Sequence, residues 1–144
     1  MTTVAQVLQE KGQQVWSVSP DARVYDALKI MAERNIGALL VCEGDKLKGI
    51  FSERDYARKV ILHGKSSREI AVKEIMSSDV ITVRPQQSVE DCMALMTDKR
   101  IRHLPVVDGD RLVGVISIGD AVREIISERE LRIEQLQSYI TSGG

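Results

Sequence analysis

A serine followed three residues later by an aspartate occurs twice in matching surroundings, Gly49-Ile50-Phe51-Ser52-Glu53-Arg54-Asp55 and Gly114-Val115-Ile116-Ser117-Ile118-Gly119-Asp120. A hydroxyl and a carboxylate at that spacing suit the start of a helix, where the serine caps orphan backbone N–H groups. The pair also suits ligand chemistry. A carboxylate accepts hydrogen bonds from ligand hydroxyls or serves in proton transfer, and a helix start favours an anion through its aligned dipoles. Other reactive side chains are sparse. His63 and His103 lie in non-equivalent places, with no neighbouring Cys or His at metal-ligand spacing. Cys42 and Cys92 sit in apolar stretches without a CxxC pattern. No glycine-flanked serine elbow, P-loop or GxGxxG occurs, so neither a nucleophile triad nor a bound metal is expected, and any nucleotide must be held in another way.

The elements that must position these residues are duplicated. Sliding the chain by 65 residues lays residues 15–61 over 80–126 without a gap, and 17 of the 47 positions are identical. Among them are Pro20/Pro85, Asp26/Asp91, Met31/Met96, Gly44/Gly109, Gly49/Gly114, Ser52/Ser117 and Asp55/Asp120. Each copy opens with a short strand that ends at proline (Val15-Trp16-Ser17-Val18, Val80-Ile81-Thr82-Val83). Apolar residues at three- and four-residue spacing then predict helices over 21–34 and 86–100. Two buried strands around a glycine turn follow, 38–42 with 47–51 and 104–107 with 112–116, and the Ser–Asp motifs open second helices. Each copy therefore reads β-α-β-β-α, an α/β class fold, divided here as residues 1–64 and 65–144. At about 65 residues one copy makes a marginal core, so the two are expected to bury their apolar faces against each other as one pseudo-two-fold module. Ile70, Val72 and Ile75 in the connecting segment read as structure of the second copy. The last helix, from about 118 to 139, outruns its counterpart. Its surplus apolar stripe requires a cover, either Val4–Leu8 of the same chain or a second subunit, and a homodimer is the favoured expectation. The closing Ser142-Gly143-Gly144 is expected to fray.

Composition narrows the classes. The chain has 144 residues, 43% hydrophobic and 28% charged, with 20 Lys and Arg against 21 Asp and Glu. That is an ordered globule too short for a large enzyme scaffold, with no global field to draw in a nucleic-acid backbone. No apolar run approaches the roughly 18 residues of a membrane span. Buried thiols without a disulfide pattern fit a reducing compartment, and a cytoplasmic location is expected.

The paired Gly-h-h-Ser-x-x-Asp heptapeptides, with Arg102-His103-Leu104-Pro105-Val106-Val107-Asp108 ahead of the second, resemble the signature of cystathionine-β-synthase-type (CBS) domains, and the likeness covers nearly the whole chain. The resemblance implies a stand-alone tandem CBS pair with two clefts that bind an adenine nucleotide: AMP first, then ADP, ATP or NAD, with S-adenosylmethionine as a further family ligand. It implies no enzymatic turnover. Carried over residue by residue, Asp55 and Asp120 accept from ribose hydroxyls, and Ser52 and Ser117 donate near the phosphate. Ser17-Val18 and Thr82-Val83 flank the base. Gly37-Ala38 and Arg102-His103-Leu104-Pro105 close the opposite side. Arg102, His103 and Arg54 would add charge at the phosphate end, which Gly37 and Ala38 cannot do, so the clefts should be unequal. The expected outcome is regulation by population shift of the module's own assembly or of a protein partner. The competing reading is a structural or protein-interaction module in which the serines are plain caps and the clefts hold no physiological nucleotide.

Overall fold

The computed structural model describes residues 2–12 and 15–141; the expected fraying of residues 142–144 lies outside them. Both copies have the element order read from the sequence. In the first, β1 (Ser17–Val18) leads to α2 (Val24–Arg34), the hairpin β2 (Ala38–Glu43) and β3 (Lys46–Ser52), and α3 (Glu53–Tyr56), which continues as a π-helical turn, Ala57–Ile61. In the second, α4 (Val89–Lys99), β4 (His103–Asp108), β5 (Arg111–Ser117) and α5 (Ile118–Thr141) repeat the order. The second copy's opening strand is reduced to one parallel bridge, Val83 with Val106. β1 runs parallel to β2, and each hairpin is antiparallel. Both hairpins shift register at equivalent steps, Val41/Cys42 and Val106/Val107, so the duplication extends to the bulges.

The two cores exchange their covering segments. An eight-residue helix is marginal alone, and α1 (Val4–Lys11) is held by a capping box between Thr3 and Gln6 and by burial of Val4, Val7 and Leu8. Those three side chains belong to the core of the second copy, with Val83, Val89, Cys92, Met96, Leu104, Val106 and Ile116. The connecting segment does the reverse. Ile70, Val72 and Ile75, read as structure of the second copy, pack with Val24, Met31, Leu39, Val41, Phe51 and Val60 of the first. Matching backbone bonds anchor both segments: Val4 N–H to the Gln87 carbonyl at 2.8 Å and Ala5 to Pro85 at 2.9 Å, against Val72 to Ala22 at 2.8 Å and Lys73 to Pro20 at 2.9 Å. Gln87 and Ala22, like Pro85 and Pro20, are register mates, so one docking site has been used twice.

Close approach explains two glycines. A Cβ on Gly114 would meet the Leu8 methyls at 2.8 and 3.0 Å, and one on Gly49 would meet Met76 Sδ at 2.7 Å and the Ser77 carbonyl at 2.8 Å. The copies meet where β3 lies against β5 and where Leu112 N–H donates to the Asp45 carbonyl at 3.2 Å. The start of α5 packs on the second core through Ala121 and Ile125, and Thr2 donates to Glu124 and Glu128. Beyond this turn Ile126, Leu131, Ile133, Leu136 and Ile140 are exposed, without cover from the described residues. No helix among the described residues is long and apolar enough to cross a membrane.

Candidate functional site

At the open end of each hairpin, the strand leads directly into a helix and the Ser–Asp motif forms the corner. Ser52 pairs with Ala38 across the first hairpin, and Glu53 N–H donates to the Gly37 carbonyl at 3.1 Å. Ser117 pairs with His103 across the second, and Ile118 N–H donates to the Arg102 carbonyl at 2.9 Å. Gly37, Ala38, Ser52 and Asp55 are thus brought together, as are Arg102, His103, Ser117 and Asp120. Both motifs are capping boxes. Asp55 N–H donates to Ser52 Oγ at 3.2 Å and Asp120 N–H to Ser117 Oγ at 3.1 Å, while each carboxylate accepts from its serine's backbone N–H, at 3.0 and 2.8 Å. Ser52 Oγ also donates to Asp55 Oδ2 at 3.1 Å.

Charge distinguishes the corners. Asp120, whose side chain is 7% exposed, accepts from Lys11 Nζ on Oδ2 at 2.6 Å and from Arg123 on Oδ1 at 2.7 Å. Among the described residues, the cation beside Asp55, 13% exposed, is Lys59 of its own helix at 3.4 Å. Burial pushes the Asp120 pKa up, but Lys11 and the Ser117 N–H outweigh it and hold the carboxyl below its ordinary value. His103 moves down as well, first through burial and then through Lys11, with Asp120 opposing. The His103 shift favours the neutral ring. The cations that reach Asp120 are Lys11 and Arg123. Arg123 was signalled by its identical register mate Arg58, whereas Lys11 precedes the repeat and has no mate within it.

Ser17 and Thr82 lie elsewhere, in two cavities between the copies. One, of about 340 Å³, is lined by Val15, Ser17, Cys42 and Asp45 of the first copy and Arg111, Leu112 and Val113 of the second. The other, of about 420 Å³, has the register mates Val80, Thr82, Val107 and Asp110, facing Lys46, Leu47 and Lys48. Both reach the size range of small-molecule sites. They are unequal in charge: Arg111 lies 3.9 Å from Asp45 in the first, whereas the second sets two lysines against Asp110. In the first copy Ser17 pairs with Leu40, two residues along β2 from Ala38, so the near edge of its cavity lies about 7 Å along the strands from the Ser–Asp corner. Val18 packs on the first core, and Val83, Leu104 and Pro105 are buried. The side chain of Arg54 is exposed. No cluster of three or more His, Cys, Asp or Glu capable of holding a metal occurs among the described residues.

Known proteins share this fold. The CBS domain family matches residues 4–62 and 72–127, beginning at α1 and at its counterpart, the 3₁₀ turn Val72–Glu74. The CBS domain-containing protein CBSX3, mitochondrial, of Arabidopsis thaliana is 41% identical over 99% of this chain and 73% of its own length. The Bacillus subtilis CBS domain-containing protein YhcV is 37% identical over 80% of this chain and 82% of its own. A solved CBS-domain protein from Burkholderia ambifaria is 53% identical and superposes with a TM-score of 0.83, covering 88% of this chain and 95% of its own. CBS-domain pairs are regulatory, ligand-sensing modules and not catalysts, and that general role holds here. With both repeats matched and the fold shared, this chain belongs to the CBS domain family as a tandem pair.

Proposed function

We propose that the module senses an adenine nucleotide, with AMP as the first ligand and ADP, ATP or NAD as alternatives. The observation that carries this reading is the pair of register-equivalent Ser–Asp corners, each with a carboxylate hydrogen-bonded to its serine's backbone N–H at a helix start. Asp55 and Asp120 accept from the ribose hydroxyls. The hydroxyl proton of Ser117, whose oxygen accepts from Asp120 N–H, points the donor role to phosphate, and Ser52 plays the matching part after releasing Asp55. Ser17-Val18 and Thr82-Val83 border the base. The backbone at Gly37-Ala38 and at Arg102-His103-Leu104-Pro105 closes the far side, with the side chains of Leu104 and Pro105 in the core. Ligand in the clefts stabilises one arrangement of the two copies, and the differential affinity reads out on assembly or on a partner in the cytoplasm.

A second reading, assembly or partner binding without a nucleotide, is favoured by the uncovered apolar stripe of α5. Homodimerisation through that stripe fits either reading and is tested by light scattering: a monomer mass at working concentration removes it. Calorimetry with AMP, ADP, ATP, NAD and S-adenosylmethionine separates the two. The nucleotide reading expects a dissociation constant below about 1 mM, roughly −4 kcal/mol, and a loss of binding in Asp55→Ala. No binding by any of the five leaves the assembly reading.

A further inference from the structure

Asp55 and Asp120 are equivalent by register but not in the company they keep. A ribose diol needs two acceptor positions on a carboxylate. At Asp55, Oδ2 is shared with Ser52, while Oδ1 faces only the Lys59 ammonium at 3.4 Å, long for a hydrogen bond. At Asp120, both oxygens carry short charge-assisted bonds, and Oδ2 accepts from the Ser117 N–H as well. Lys11 is fixed a second time by donating to the Val115 carbonyl at 3.0 Å. It arrives on α1, which the burial of Val4, Val7 and Leu8 holds against the second copy. Among the described residues, nothing equivalent reaches Asp55. The segment that docks on the first copy in the place of α1 is a three-residue 3₁₀ turn ending at Glu74, and Lys59 comes from the helix that Asp55 itself begins.

We propose that Lys11 is the resident occupant of the second Ser–Asp corner, so that nucleotide fills the Asp55 corner first and reaches Asp120 only when the lysine is displaced. This rests on the reading of both aspartates as ribose acceptors. It makes the two clefts sequential, and it ties occupation of the second one to release of the C-terminal end of α1, the segment that covers the second core. The lysine is then a selectivity device: a ligand enters the second corner only if its contacts exceed those of an ammonium already in place.

Calorimetric titration of AMP into the full chain tests this in the parent protein, in Lys11→Met and Lys11→Arg, and in each combined with Asp55→Ala or Asp120→Ala. The parent is expected to bind one equivalent, lost in Asp55→Ala and kept in Asp120→Ala. Lys11→Met is expected to gain a second equivalent that depends on Asp120, at least about tenfold tighter than at that corner in the parent. Lys11→Arg, which keeps the charge, should resemble the parent. Two equal equivalents in the parent, or one that depends on Asp120, would overturn the proposal and leave the nucleotide reading intact. An unchanged stoichiometry and affinity in Lys11→Met would do the same. Failure of both the parent and Lys11→Met to bind any AMP overturns the proposal, and failure of ADP, ATP, NAD and S-adenosylmethionine as well removes the reading beneath it.

Discussion

Leu8 belongs to the first copy in sequence and is 2% exposed in the core of the second. Its truncation therefore separates order along the chain from order in space. Leu8→Ala removes the methyls that lie over Gly114 and opens a void between α1 and β5, because α1 is tied by backbone bonds to Pro85 and Gln87 and cannot collapse freely onto the strand. Buried leucine-to-alanine changes cost about 2 to 5 kcal/mol. A domain of this size has roughly 7 to 20 kcal/mol in all at ~0.05–0.15 kcal/mol per residue. At about 3 °C per kcal/mol, the loss reads as a fall of roughly 6 to 15 °C in Tm. Gln9→Ala, on the exposed side of the same helix, should stay within about 0.5 kcal/mol. Amide hydrogen exchange assigns the loss to a place. Protection should fall at Cys92, Met96, Val106 and Ile116 before it falls at Leu39, Val41 and Phe51. A loss below about 1 kcal/mol, or one confined to the first copy, refutes the exchange of covering segments.

Gly49→Ala should destabilise more than Gly114→Ala in urea unfolding, about 1 to 3 kcal/mol for the former. Its Cβ meets a backbone carbonyl fixed by the Ile50–Ser77 bridge, whereas the Gly114 Cβ meets only the rotatable side chain of Leu8. Stability should fall on acidification in two stages. The His103 contribution is present above the unfolded value near ~6.5 and is lost as pH drops through its depressed folded pKa, and that of Asp120 is present above ~3.9 and is lost further down. Urea midpoints across pH should show both stages, and Asp120→Asn should remove the lower one; a profile flat from pH 7 to pH 3 contradicts both shifts. Burial raises the thiol pKa of Cys42 and pushes that of Cys92 up to about 11, so an aromatic disulfide reagent at pH 8 should label neither in the native protein and both after unfolding. A rapidly labelled native thiol would contradict their burial.

The strands, helices and hairpins were legible because periodicity and glycine turns are local signals, and the 65-residue register made every reading twice. The Ser–Asp corners were legible for the same reason. What covers an apolar face was not. Ile70, Val72 and Ile75 announce a buried segment, but spacing along the chain carries no information on which core receives it, and the helix that bears Leu8 crosses to the other copy. Lys11 was invisible as a site residue because its partner is 109 positions away and it lies outside the repeat. The environment of His103 was equally hidden, because burial and that same lysine both lower its pKa. Asp45/Asp110 and Lys46/Arg111 stood in the register as turn residues. Only the packing of β3 against β5 turns them into the walls of two cavities.

The account depends most on where an adenine nucleotide touches the chain, and an amide-resolved NMR titration of the full-length protein with AMP reads this directly. Saturable shifts are expected at Ser17-Val18, Gly37-Ala38 and the Ser52–Asp55 corner, abolished by Asp55→Ala. An unmoved spectrum at millimolar AMP, or shifts that bypass both Ser–Asp corners, would contradict the account.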